Sequence, residues 1–113
     1  LRAGDTYPMA ASNLACADDR ELDREEVHYR TRAVDLGGRT LRLLVVNISA
    51  QGLMARCEDP LEAGEMVRVT LPVVGTIAAE VRWALGGRAG LQFTTLIPLA
   101  PYYELIAVLV KAG

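Results

Sequence analysis

The stretch VHYRTRAVDLGGRTLRLLVV, residues 27–46, holds the clearest structural pattern of the chain. In its first part, residues suited to a core alternate with basic residues. The core positions are Val27, Tyr29, Thr31 and Ala33, and the positions between them are His28, Arg30 and Arg32. A period of two predicts a strand with one buried face. Gly37-Gly38 then predicts a turn, and the apolar run that follows predicts a second strand over about residues 39–47. The stretch therefore predicts an antiparallel hairpin.

Similar patterns predict four further strands downstream. They lie at about residues 53–57, 65–71, 77–83 and 89–93, with Gly or Pro residues between them. In the fifth strand the alternation predicts that Trp83 faces the core, and the alternative for this residue is a platform on which a base stacks. Six short strands with tight connections predict a small six-stranded antiparallel β-barrel, because closing a sheet removes its exposed edges.

The C-terminal part of the chain changes to a helical period. Tyr102, Leu105, Ile106 and Leu109 fall at i, i+3, i+4 and i+7, and Pro101 suits the first turn of a helix. We therefore expect an all-β dominated fold that ends in a C-terminal α-helix. Its apolar face should be covered by the barrel or, as the second possibility, by a dimer partner.

Composition limits the class of protein. A chain of 113 residues with 51% hydrophobic residues suits one domain with its own core. The net charge of −2 provides no general basic field, so we expect no DNA or RNA partner. No apolar run approaches the roughly 18 residues of a membrane span, and no signal-peptide pattern is present, so a cytoplasmic location is expected. Cys16 and Cys57 belong to no CxxC or Cys/His cluster, which favours free thiols over a disulfide or metal site.

The sequence offers no catalytic set. It contains one histidine, and it shows no Ser/His/Asp arrangement, paired carboxylates or phosphate-cradling Gly-rich loop. We therefore expect a protein that is not an enzyme and needs no cofactor. Residues 1–23 lack periodicity and mix small and polar residues, which predicts a flexible N-terminal arm, and residues 24–113 then form the barrel with its helix. His28 is expected on the surface.

Two short motifs supply the candidate site, Arg20-x-x-x-Arg24 and the segment Asn47-Ile48-Ser49-Ala50-Gln51-Gly52 at the end of the second strand. Guanidinium groups are planar forks that pair with phosphate oxygens or base edges. Asn47 and Ser49 are two residues apart and can offer hydrogen bonds on one face, or they can bond their own backbone in an ordinary turn. Gly52 is expected to adopt a positive φ or to permit a close approach of the ligand that a Cβ would obstruct.

In this order and spacing the two motifs resemble the PilZ family, whose small β-barrel domains in many cases bind the bacterial second messenger cyclic di-GMP. The resemblance covers about Asp19 to Phe93 and includes Val81-Arg82-Trp83 and Gly90-Leu91-Gln92-Phe93. It implies a cyclic di-GMP site formed by Arg20, Arg24, Asn47, Ser49 and Gly52. It also implies an effector protein, not identified by the sequence, that receives the signal when the ligand orders the arm.

Acidic residues surround the first motif. Residues 18–26 hold six acids and two arginines, and the acids are Asp18, Asp19, Glu21, Asp23, Glu25 and Glu26. Each like-charge contact costs about half a kcal/mol in water, whereas a charge-assisted hydrogen bond contributes about 1.5 to 3 kcal/mol. Weakened binding is therefore expected. The alternative is a degenerate PilZ-like adapter that binds no nucleotide and acts only through protein contacts.

Overall fold

The computed structural model describes residues 24–112, which form six strands and one helix. The elements are β1 (Glu25–Asp35), β2 (Thr40–Ile48), β3 (Gly52–Arg56), β4 (Met66–Leu71), β5 (Gly75–Leu85), β6 (Arg88–Phe93) and α1 (Leu99–Ala112). Neighbouring strands are antiparallel and close into a barrel in the order β1-β2-β3-β6-β5-β4. The predicted fold class is confirmed. The predicted arm, residues 1–23, and Cys16 within it lie outside the described residues.

The β1–β2 hairpin is the one predicted from the sequence, with Ala33 opposite Leu41. In the connecting turn Gly38 has a φ of 89°, a conformation that glycine adopts without steric cost. The backbone N–H of Arg39 donates to the Asp35 Oδ1 at 2.8 Å, and this hydrogen bond lowers the pKa of the Asp35 carboxyl below its ordinary value. A carboxylate and a glycine together therefore close the turn.

Inward-facing side chains of the strands fill the barrel. The largest fully buried ones are Leu41, Val45, Ile48, Leu53, Val67, Val69 and Val81, with Leu105 and Leu109 added by α1. Leucine and β-branched side chains of this kind pack well on a pleated surface. Cys57, just after β3, is also buried and unpaired, and burial raises the pKa of its thiol. Its thiol is therefore part of the core, and its raised pKa disfavours the reactive thiolate.

Helix α1 covers the core with the face that the helical period predicted. Tyr102, Leu105 and Leu109 are buried, and Ile106 is half-buried. The Tyr102 hydroxyl donates to the backbone carbonyl of Ile48 at 3.3 Å, which gives the buried phenol a partner. The barrel, the first of the two predicted possibilities, therefore covers this face. Within residues 24–112 no helix is long and apolar enough to cross a bilayer.

Three register shifts interrupt the described strand pairing, one of them in β1 between Glu26 and Tyr29, and the other two position the candidate site. Strand β2 gains one residue against β3 between Val45 and Asn47, and β5 gains one against β6 between Val81 and Trp83. An extra residue reverses the inward and outward alternation that follows it. After Val45 the next buried residue is consequently Ile48, and Asn47 is left half-exposed. For the same reason Trp83 is 42% exposed, and the prediction that it faces the core is wrong.

Candidate functional site

The two motifs meet at one hydrogen bond. Arg24 lies just before β1, and Asn47 lies in β2, where it is paired with Glu26. The Arg24 Nη1 donates to the Asn47 Oδ1 at 2.8 Å. The two residues are 23 positions apart, so the pairing of β1 with β2 brings the guanidinium to the amide. Arg20, the other arginine of the first motif, lies outside the described residues.

A cavity of about 440 Å³ opens beside this bond. Small-ligand sites typically have volumes of roughly 300 to 1,000 Å³. Arg24, Asn47 and Gly52 line the cavity, so it brings together three of the five predicted site residues. Further lining residues lie on strands β5 and β6, outside the five predicted site residues: Arg82, Trp83, Gly90 and Gln92. The site therefore extends across the barrel wall from β2 to β5.

Trp83 and Gly90 fit together on the outer face of the barrel. They are directly opposed in the β5–β6 pairing. A Cβ placed on Gly90 would lie 2.2 Å from the Trp83 Nε1, far inside contact distance. The indole thus occupies the space that a side chain at residue 90 would take. With 42% of its surface exposed, Trp83 offers an aromatic surface to a ligand in the cavity.

Arg82, the neighbour of Trp83, adds a second guanidinium to the described lining. Its Nη1 donates to the Gln92 Oε1 at 2.9 Å and lies 3.7 Å from the Glu80 Oε1. Its side chain remains 57% exposed. The register shift between Val81 and Trp83 leaves Arg82 and Trp83 both exposed at the cavity. A cation and an aromatic ring are therefore adjacent in the site.

Gly52 is required by packing rather than by backbone conformation. It is buried in β3, and its φ is not in the positive range, so the expectation of a positive φ is wrong. A Cβ at this position would lie 2.2 Å from the backbone oxygen of Leu91 in β6. A Cβ here would therefore obstruct a close approach, but not the ligand approach that the sequence suggested, which stays a prediction. The group that approaches is the neighbouring strand.

Ser49 takes the role of a turn residue. It is 3% exposed, and its hydroxyl accepts a hydrogen bond from the backbone N–H of Gln51 at 3.1 Å. Its own backbone N–H donates to the Gly52 carbonyl at 2.8 Å. Ser49 is not among the residues that line the cavity, whereas Asn47 is. In this structure it shapes the loop that presents Asn47 and Gln51.

The cavity combines guanidinium groups, amides and one indole. Guanidinium forks bind phosphates or the edge of a guanine, amides complete base recognition, and an indole stacks on a base. The arrangement suits a ligand that carries both phosphate and purine. The sequence favours the core for Trp83 over a stacking platform, and it does not predict the contact of Trp83 with Gly90, because that contact joins two strands. An isolated glycine inside a predicted strand was the available signal, since it indicates a bulge or a close approach.

Comparisons with known proteins agree with this architecture. The family model of the PilZ domain matches residues 18–109. Among solved structures, the chain is similar to the PilZ domain with c-di-GMP of YcgR from Escherichia coli, with a TM-score of 0.58 and 17% identity over 83% of this chain and 92% of that one. At this identity the likeness concerns the fold. No curated protein matches the chain. Because the family model covers most of its length, the chain belongs to the PilZ domain family.

Proposed function

We propose that this chain is a bacterial signalling domain that binds cyclic di-GMP and relays the signal to a protein partner. PilZ domains are a family of cyclic di-GMP receptors. The observation that carries the proposal is the 2.8 Å hydrogen bond between Arg24 and Asn47 at the edge of the cavity. It joins the two motifs on which the resemblance rests, and a ligand with two phosphates and two guanines matches the chemistry of the lining.

Each side chain has a role that follows from its chemistry. Arg24, with Arg20, supplies guanidinium groups for phosphate oxygens or for the guanine O6 and N7. Asn47 orients Arg24 and keeps an amide N–H for the base. Trp83 provides a stacking surface for one guanine. Arg82 adds a second positive charge on the far side of the cavity.

Isothermal titration of the full chain with cyclic di-GMP tests the proposal. We expect saturable heat that weakens as salt is added, because phosphate contacts are screened. Cyclic di-AMP provides the control, since it keeps the two phosphates and replaces the guanine edges. A chain that binds neither nucleotide would be the adapter described above, and equal binding of both would remove the guanine assignment.

Trp83 makes the site directly observable, because it is the only tryptophan of the chain. We expect cyclic di-GMP to change its fluorescence. Trp83→Ala should weaken binding about 5- to 150-fold, the equivalent of about 1 to 3 kcal/mol for one stacked base. Gly90→Ala should do the same by displacing the indole, since the three nearest atoms to the new Cβ all belong to Trp83. Titration calorimetry measures both variants.

Leu85→Ala is the matched control for these variants. Leu85 ends β5 and is 80% exposed, and it does not line the cavity. Its replacement should leave the affinity unchanged. If Gly90→Ala binds as tightly as the parent while its indole fluorescence has shifted, Trp83 does not contact the ligand.

The arm is the proposed moving part of the signal. We propose that ligand contacts at Arg20 and Arg24 hold residues 1–23 against the barrel and thereby form a new surface for the partner. Fixing one residue costs about 1 to 2 kcal/mol, and five of the eleven hydrophobic residues in this segment are alanines, whose small side chains bury little surface with which to offset that cost. Amide hydrogen exchange of residues 1–23 should therefore slow when cyclic di-GMP is added.

The acids around the first motif sharpen the test of the arm. Replacing Asp19 with Asn and Glu21 with Gln should tighten cyclic di-GMP binding, more at low salt than at high salt, because repulsion of the phosphates is removed. Exchange that is equally slow without ligand would contradict the proposed ordering. An affinity that falls in the double variant would mean that these acids position the arginines.

A further inference from the structure

Helix α1 is apolar on its outer side as well as on the face that it packs against the barrel. Leu99, Tyr103 and Val110 are 64%, 63% and 58% exposed, and Leu96 just before the helix is 56% exposed. Monomeric soluble proteins rarely expose large apolar side chains in one contiguous strip. A helix that is apolar all round is normally covered all round.

The exposed residues follow the spacing of a helix–helix seam. Leu99, Tyr103, half-buried Ile106 and Val110 lie at i, i+4, i+7 and i+11, the alternating three- and four-residue spacing by which two helices pack. We call these four residues the outer stripe. The described barrel is closed and has no free strand edge at which a partner strand could pair, so a partner has to bind a side-chain surface such as the outer stripe.

The charges of α1 indicate what covers the outer stripe. Within the helix only Glu104 and Lys111 are charged, both are exposed, and they lie two turns apart on the side of the stripe away from the barrel. A second helix of the same sequence in parallel orientation would place Glu104 beside Glu104 and Lys111 beside Lys111. In antiparallel orientation each Glu104 meets a Lys111. The helix is therefore complementary in charge to an antiparallel copy of itself.

We propose that the outer stripe of α1 binds a second copy of this chain, with the two helices antiparallel about a two-fold axis near Ala107. Such an axis brings the Tyr103 end of one stripe alongside the Val110 end of the other. The exposed alanine at the crossing allows the helices to approach closely. Two Glu104–Lys111 ion pairs, one on each side of the axis, fix the orientation. The proposal does not depend on ligand binding.

Sedimentation equilibrium of the full chain over a range of concentrations tests the proposal. We expect a reversible dimer. Introducing a charge at both ends of the stripe, with Tyr103→Glu and Val110→Glu together, should give a monomer whose circular dichroism matches that of the parent. Leu85→Glu, at an equally exposed apolar residue of the barrel, should remain a dimer. A parent that stays monomeric would overturn the proposal, as would a dimer that survives the double variant.

A charge exchange tests the orientation separately. Glu104→Lys alone or Lys111→Glu alone should raise the dissociation constant about tenfold, since either change turns two modest attractions into repulsions. The double variant, Glu104→Lys with Lys111→Glu, should restore the parent affinity. In a parallel dimer residue 104 lies beside residue 104 and residue 111 beside residue 111, so neither single change creates a new repulsion. Equal affinity of the parent, the two single variants and the double variant would therefore overturn the antiparallel arrangement. A complex of any other stoichiometry would overturn the two-fold pairing.

Discussion

Replacing Arg24 with alanine should abolish detectable cyclic di-GMP binding and leave the melting temperature of the barrel nearly unchanged. Each charge-assisted hydrogen bond contributes about 1.5 to 3 kcal/mol, so losing two of them lowers the affinity by roughly 150-fold or more. The side chain is exposed and lies outside the core, and its hydrogen bond to Asn47 is also exposed. Such a bond contributes little to folding stability. Titration calorimetry and thermal melting separate the two effects.

Arg88→Ala is the control for this variant. Arg88 is an exposed arginine at the start of β6, and it does not line the cavity that Arg24 lines. The Arg88→Ala substitution removes one positive charge, as Arg24→Ala does, and should change the affinity for cyclic di-GMP very little. Arg20→Ala is expected to behave as Arg24→Ala does. If Arg24→Ala and Arg88→Ala weaken binding equally, the ligand responds to net charge, and the assignment of Arg24 to the site fails.

Replacing Gly52 with alanine should destabilise the whole barrel. The added Cβ would lie 2.2 Å from the Leu91 oxygen and 3.1 Å from the Gln92 Cα, and both are backbone atoms of β6. The end of a flexible side chain could turn away from the new Cβ, but these backbone atoms cannot. The clash is therefore relieved only if β3 and β6 separate. Overpacking typically costs about 1 to 3 kcal/mol. At about 4 to 8 °C per kcal/mol in a domain of this size, the melting temperature should fall by roughly 4 to 24 °C. Thermal unfolding followed by circular dichroism measures it.

Gly37→Ala is the matched control for the steric argument. A Cβ there would meet only the Asp35 Oδ1 at 3.5 Å, an ordinary contact, and the φ of Gly37 is not in the positive range. This variant should unfold at or slightly above the parent temperature, because alanine restricts the unfolded chain. A Gly52→Ala protein that is as stable as Gly37→Ala would show that β3 and β6 do not approach as closely as described. Gly52→Val should be worse than Gly52→Ala, for reasons of volume and not of φ.

The strands and the helix could be predicted because their signals are local. Alternation in β1 marks Ala33 as buried and Arg32 as exposed, and the helical period marks Leu105 and Leu109 as buried. Local pattern could not locate the register shifts, because the extra residue in β5 is defined only by its pairing with β6. Alternation alone continues from Val81 to Trp83 and therefore predicts the wrong face for the tryptophan.

Periodicity and turn residues are enough to predict the barrel and its terminal helix, because they express the burial preference of each side chain along one strand or helix, and the two motifs are visible in the sequence directly. Which side chains share the cavity follows from the tertiary structure alone. The Arg24–Asn47 bond crosses β1 and β2, the Trp83–Gly90 contact crosses β5 and β6, and Gly52 is needed because β6 lies against it. Each of these contacts depends on the register between strands, which is set when the barrel closes and the chain returns to itself.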